Sequence, residues 1–271
     1  MIQIKNDAEV ALMRAAGLVV GRTLEALRAA AVPGTTTQDL DELAESTIRS
    51  AGAVPSFKGY QPHPSIPPFP ASICASVNDE VVHGIPGPRA LRDGDVISID
   101  CGAILEGWHG DAAITVGVGE VPDTARELLR VTEESMWRGF AAARLGGRLS
   151  DISHAIESYV RSQGPYGIVE EYGGHGIGTE MHQEPHLLNY GRAGRGPKLV
   201  KGLALAVEPM LVAGSRFTRE LDDGWTVSTA DGGLAAHFEH TFVLTDRGPW
   251  VLTALDGGAA RLGALGVQVA S

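Results

Sequence analysis

Cysteine occurs only twice, at Cys74 and Cys101, which excludes a disulfide scaffold and points to two reduced thiols. Long apolar runs are also missing: none approaches the roughly 20 residues that a membrane-spanning helix needs. The start, Met1-Ile2-Gln3-Ile4-Lys5-Asn6-Asp7, has no basic head followed by an apolar stretch, so no signal peptide is expected. Positive charge is scarce. Lys and Arg number 22 against 33 Asp and Glu, and the formal net charge of -11 opposes binding to a phosphate backbone. These absences leave a soluble cytoplasmic protein that neither reads nucleic-acid sequence nor enters a membrane. An acidic surface favours cationic ligands instead, such as the free α-amine of a peptide. No GxSxG setting for a serine nucleophile occurs, and Cys74 has no base beside it in sequence.

What is present is ordinary for a globular chain: 271 residues, 44% hydrophobic and 20% charged, enough for a sizeable core. Asn6-Asp7-Ala8-Glu9 reads as a helix start, and Val10, Met13, Leu18, Leu24 and Leu27 carry the helix towards Pro33-Gly34. A second helix begins near Thr36-Thr37, carries Leu40, Leu43, Ala44 and Ile48, and stops at Gly52. The proline-rich stretch 61–70 is expected to be an extended, polyproline-like surface loop. A shift of 112 residues then places Asp39, Glu45, Ser46, Arg49, Ser50 and Gly52 on Asp151, Glu157, Ser158, Arg161, Ser162 and Gly164. Chance likeness of two amphipathic helices is one explanation. The other is a duplication into α/β halves, about 1–116 and 117–271 of a single domain. Such halves would meet at a pseudo-twofold interface, a common place for a site.

The segment Asp95–Asp100 alternates like a strand, and the chain returns through Asp111 into the apolar run 112–116. A turn centred on Leu105-Glu106 would set Asp100 directly opposite Asp111, with opposed Cβ atoms about 4.5–5.5 Å apart. Two carboxylates that close repel unless protons or cations intervene, and a pair of divalent ions suits the spacing. Taken alone, the pair is more simply read as one turn cap and one solvated acid. Downstream, Leu203–Val207 is an apolar strand ending in Glu208-Pro209, and Glu239 lies inside the strand-like run 236–244. Acids in such surroundings are unfavourable unless paired or bound to metal. His175 sits among four glycines in Tyr172–Gly178, which let the backbone fold tightly around one ring; the spacing fails the dinucleotide-loop pattern. Oxygen-rich ligation with at most one imidazole favours Mn, Fe(II), Co or Mg over a closed structural zinc site. His182-Gln183-Glu184-Pro185-His186 only superficially resembles a zinc-protease motif, because Pro185 would break the required helix.

Several segments, in order, resemble type I methionine aminopeptidases of the short bacterial kind. They are Ser72–Asn78, Val82-His83-Gly84-Ile85-Pro86, Ile99-Asp100 through Gly110-Asp111, Tyr172–Gly178, Glu208-Pro209-Met210, Asp223-Gly224-Trp225 and Glu239-His240-Thr241. The resemblance covers nearly the whole chain. It implies the α/β pita-bread fold, two pseudo-symmetric halves whose curved antiparallel sheet is covered by helices. It also implies two divalent metal ions (Co, Mn, Fe(II), Zn or Ni) held by Asp100, Asp111, His175, Glu208 and Glu239. In the implied reaction a metal-bridging hydroxide attacks the carbonyl of an N-terminal methionine. Glu208 takes up and passes on the proton, His182 hydrogen-bonds the developing oxyanion, and His83 contacts the scissile nitrogen. Tyr60, Phe69, Cys74 and Trp225 map onto the methionine pocket, with a plain core role as the competing reading for each. Asn78 lies where such enzymes bind a monovalent cation. The implied partners are peptide and nascent-protein N-termini, with transient ribosome contact, and the implied state is a monomer. Two departures stand out: the stretch between Tyr60 and Ser72 is longer than the family's loop, and Met181 replaces an aromatic residue before His182. The competing functions are an Xaa-Pro aminopeptidase or prolidase on the same fold and a non-catalytic peptide-binding relative.

Overall fold

A computed structural model describes residues 2–269. Helices α1 (Asp7–Ala30) and α2 (Thr37–Ser50) precede strands β1 (Val54–Pro55), β2 (Ile73–Val77), β3 (Glu80–Val82), β4 (Val96–Leu105) and β5 (Trp108–Gly117). Helices α3 (Asp123–Ala142) and α4 (Leu149–Gln163) then precede β6 (Gly167–Ile168), β7 (Gly174–Gly176), β8 (Gln183–Leu187), β9 (Ala204–Val207) and β10 (Met210–Val212). The chain finishes with β11 (Thr218–Glu220), β12 (Val227–Thr229), β13 (Ala235–His237), β14 (Glu239–Thr245), β15 (Gly248–Val251) and α5 (Ala259–Ala264). No described helix is long and apolar enough to cross a membrane.

The helix starts follow local chemistry. Asn6 Oδ1 accepts from the backbone N–H groups of Ala8 and Glu9 at 3.0 Å, and Glu9 accepts from Asn6 N at 2.8 Å. The 112-residue shift reappears in space: α2 and α4 start at Thr37 and Leu149, and α1 and α3 end at Ala30 and Ala142. Asp39 accepts from Thr36 N at 2.8 Å and Asp151 from Arg148 N at 2.7 Å. Gly34 and Gly146 both adopt positive φ, 95° and 81°, and each donates at 2.8 Å to a leucine carbonyl, Leu91 and Leu199. The extended strand pairs match as well, since β1 pairs with β4 as β6 pairs with β10. The two large apolar clusters divide along the same line, one built from residues 19–118 and the other from residues 128–262.

A nine-stranded antiparallel sheet joins the halves in the order β1-β4-β5-β14-β9-β7-β8, with β2 on β4 and β15 on β14. Helix α1 lies unusually close to it. A Cβ on Gly110 would fall 2.8 Å from the Cα and N of Gly17, so only hydrogens fit between helix and strand there. Because Asp111 follows Gly110, this contact fixes its height in the sheet.

The hairpin between β4 and β5 differs from expectation. Leu105 pairs with Trp108 around Glu106-Gly107, whose φ values of 50° and 81° make a type I′ turn. Asp100 therefore pairs with Ala113 and Asp111 with Gly102. The two aspartates share a face but stand diagonally rather than directly opposite. The proline-rich stretch is also only partly extended: Ile66 N donates to His63 O at 3.0 Å, closing a turn.

Candidate active site

Strand register gathers the acidic residues. Across β4, β5 and β14, Asp100 pairs with Ala113 and Ala113 with Glu239, so both acids project from one face. Asp111 lies two residues from Ala113 on that same face. The pairing of His240 with Val207 brings Glu208 beside Glu239, and His175 pairs with Ala206, two residues before Glu208. Alanines 113 and 206 leave room on this face, and a cavity of about 880 Å³ opens above it. Asp100 and Asp111 come from the first half; His175, Glu208 and Glu239 come from the second. All five line the cavity.

These groups are close but not satisfied. His175 Nε2 stands 3.5 Å from Glu208 Oε1 and 3.9 Å from Asp111 Oδ2, beyond ordinary hydrogen bonding. Asp100 Oδ1, Asp111 Oδ1 and Glu239 Oε1 are buried without a hydrogen-bond partner among the described residues. Burial pushes the Asp100 carboxyl up to about 7. It raises Asp111, Glu208 and Glu239 well above the carboxylate range, with neighbouring carboxylates adding to the effect. His175 Nδ1 donates to the Gly176 carbonyl at 3.0 Å, leaving Nε2 bare towards the acids, and burial lowers the ring to about 3. A neutral imidazole among unpaired buried carboxyls is the donor set that divalent cations take, so the residues fit a metal centre. Among the described residues, two donor triads have all their ligand atoms within 4.8 Å: Asp111–His175–Glu239 and Glu208–His237–Glu239.

Beside the acids lies an apolar patch. Phe57, Phe69, Cys74 and Met181 form a buried cluster with Tyr60 and Trp225 against it. Cys74 pairs with Asp100 across β2 and β4, and both cysteines are free and buried. Burial first, then the nearby aspartates, raises the Cys74 thiol, which marks it as a packing group rather than a nucleophile. Phe69 stands edge-on to Trp225 at 5.1 Å, and Trp225 Nε1 donates to the Pro67 carbonyl at 2.9 Å. The long loop is thereby tied to the patch, and Phe69 is placed inside it. Met181 is buried in the cluster, so it closes the wall where an aromatic residue was expected.

Tyr60 OH and His182 Nδ1 are 3.0 Å apart, and the His182 ring stacks edge-on at 4.5 Å from His175. His83 sits at φ 60° with its ring 5.4 Å from Tyr172, and burial lowers it to about 4. Tyr60, Phe69, Cys74, His83, His182 and Trp225 thus share one cavity. The segment 183–187 is a strand, not the helix of a zinc protease. Asn78 also adopts positive φ, 62°, while its carbonyl accepts from Ala235 N at 2.9 Å and its side chain holds Asp95 and Val96. Two residues escaped the sequence reading. Phe57 reaches the patch through tertiary contact alone. His237, two positions before Glu239, reaches within 3.7 Å of Glu208 Oε2 and 3.9 Å of Glu239 Oε2; that same-face spacing was its only signal.

Residues 11–246 match the description "Metallopeptidase family M24". The chain is 54% identical over 254 residues to a methionine aminopeptidase of Clostridium acetobutylicum, covering 93% of this chain and 99% of that protein. Methionine aminopeptidase 1 of Mycobacterium tuberculosis is 54% identical over 255 residues, covering 92% and 94%. The crystal structure of methionine aminopeptidase from Thermotoga maritima superposes with a TM-score of 0.90 at 40% identity, covering 94% and 100%. With a pita-bread sheet whose acids converge at the seam of two like halves, the chain belongs to metallopeptidase family M24 and, within it, to the type I methionine aminopeptidases.

Proposed function

We propose that the protein removes the N-terminal methionine from peptides and nascent proteins, preferring a small following residue. One observation carries the reading: a pocket of aromatic, thioether and thiol groups opens directly onto unpaired carboxyls and an imidazole. A methionine side chain fits that pocket, since sulfur and aromatic edges attract one another. The peptide amide then lies over Asp100, Asp111, His175, Glu208 and Glu239, the proposed holders of two divalent ions. When bound, such ions lower the pKa of water and polarise the scissile carbonyl.

The chain's own groups do the rest. Glu208 accepts the water's proton on a carboxylate oxygen and delivers it to the leaving amine nitrogen. With Tyr60 donating its O–H to Nδ1, His182 carries its proton on Nε2, the tautomer that donates to a developing oxyanion. His83 is lowered to about 4 and is therefore a neutral ring for the scissile nitrogen. Trp225 and the Pro67 carbonyl it holds exclude water from the methionine side. Asn78 is the proposed site of a monovalent cation. The protein is proposed to act in the cytoplasm as a monomer, meeting nascent chains in transient contact with the ribosome.

The test is a panel of Met-Ala-X, Met-Leu-X, Ala-Pro-X and Leu-Ala-X peptides on metal-free protein resupplied with Mn, Fe(II), Co, Zn or Ni. Methionine release from Met-Ala-X alone supports the reading. Cleavage of Ala-Pro-X would instead favour the Xaa-Pro alternative, and binding without cleavage a non-catalytic relative.

A further inference from the structure

Of the two donor triads, only Asp111–His175–Glu239 contains the histidine placed among the five ligands. We propose that His237 is a sixth ligand, adding a second imidazole to the metal centre on the side of Glu208 and Glu239; this rests on the metal-centre reading above. His237 Nε2 is buried and has no hydrogen-bond partner among the described residues, and the residue is 2% exposed. Leaving such a nitrogen unmatched is unfavourable. Its separations of 3.7 and 3.9 Å from Glu208 Oε2 and Glu239 Oε2 are too long for hydrogen bonds. They lie within the roughly 4.2 Å that can separate two donors each standing about 2.1 Å from one ion. His175 has the same relation to its acids, at 3.5 and 3.9 Å.

The ring is also preset. Thr115 Oγ1 donates to the His237 carbonyl at 2.6 Å and accepts from His237 N at 2.9 Å, while Met210 pairs with His237 across β10 and β13. Backbone on both sides therefore fixes the Cα that carries the ring, and the buried ring stands with Nε2 beside the acids. Glu208 lies between the two imidazoles, and Glu239 belongs to both triads. A second ring nitrogen at the centre would shift preference away from Mg and Mn, towards Fe(II), Co, Ni and Zn.

The test loads the full metal-free chain with Co(II). Calorimetry should give two bound ions for the unaltered protein, and X-ray absorption should count two imidazoles per pair of ions. In His237→Ala and in His237→Gln one ion should bind on the order of 100-fold more weakly or worse, since even outer partners of metal ligands change affinity 10–100-fold. One imidazole should then remain. Gln keeps an N–H for a carboxylate but supplies no ring nitrogen. If His237→Gln bound both ions normally, His237 would be a hydrogen-bond donor only and the inference would be overturned. A count of one imidazole in the unaltered protein would overturn it without any variant. Unaltered protein that takes up no Co(II) would overturn the metal-centre reading as well.

Discussion

Stripping divalent metal should make the protein's stability fall as pH rises from 6.5 to 8.0. Folding moves the Asp100 carboxyl from its ordinary 3.8 to about 7 and lifts Asp111, Glu208 and Glu239 well above their ordinary values, burial being the main cause throughout. A group whose folded pKa is raised contributes stability that is complete below its unfolded pKa and is lost as pH climbs through the folded value. Each proton that the folded chain keeps and the unfolded chain lacks lowers stability by about 1.36 kcal/mol per pH unit. Below pH 6.5 the buried histidines oppose this. His175 and His237 are lowered to about 3 and His83, His109 and His240 to about 4, so stability rises with pH until their unfolded forms lose charge. Above pH 8 Lys5, depressed to about 8 by burial, again works in that direction. Across the interval the five histidines, half charged in the unfolded chain at pH 6.5, still oppose the carboxyls by about 2 kcal/mol in all, so the fall needs two or more of the four raised carboxyls to keep their protons. One retained proton over the interval corresponds to about 2 kcal/mol, or roughly 4–8 °C in Tm for a domain of this size. Scanning calorimetry of chelator-treated protein at pH 6.5, 7.25 and 8.0 reads it directly. Protein saturated with Co(II) should lose the slope, because its carboxyls are already ionised. A metal-free midpoint that is level or rising across the interval would refute the reasoning.

Asp100→Asn should abolish peptide cleavage while leaving the circular dichroism spectrum intact; normal turnover would remove Asp100 from the proposed ligands. His182→Ala should lower kcat far more than it raises KM, by about 2.7–4 kcal/mol, the effect of losing one oxyanion donor. Tyr60→Phe, which deletes only the hydroxyl that meets His182 Nδ1 at 3.0 Å, should lower kcat by a smaller factor in the same direction; a pure KM effect would restrict Tyr60 to pocket packing. Gly110→Ala should destabilise the chain by about 1–3 kcal/mol in chemical denaturation, since its methyl meets Gly17 backbone at 2.8 Å. An unchanged midpoint would show that α1 yields freely.

The helical frame was legible because its signals are local. Asn6 with Glu9, and Thr36 with Asp39, are read from neighbours, and the 112-residue spacing recurs where α3 ends and α4 begins. The hairpin register was less so. Nothing in Leu105-Glu106-Gly107 advertises that Glu106 takes φ 50°, and moving the turn centre by one residue displaces every partner across it by two. The acids at strand ends were visible as chemistry out of place, as with Glu208 after Leu203–Val207. Phe57 and the Trp225–Pro67 bond were hidden because each depends on segments far apart in sequence. His237 lay in plain view beside Glu239, but a histidine in an apolar strand carries no sign of what its ring will face.

The division of the two large apolar clusters between residues 19–118 and 128–262 has an engineering consequence. Gly119 and Glu120 lie exposed in the link between β5 and α3, a connection neither cluster spans. A chain opened there would give Asp100 and Asp111 to one piece and His175, Glu208 and Glu239 to the other. Each piece would keep its own apolar cluster yet hold an incomplete donor set. Peptide cleavage by the mixture would then report reunion of the pieces, turning the seam into a sensor of its own assembly.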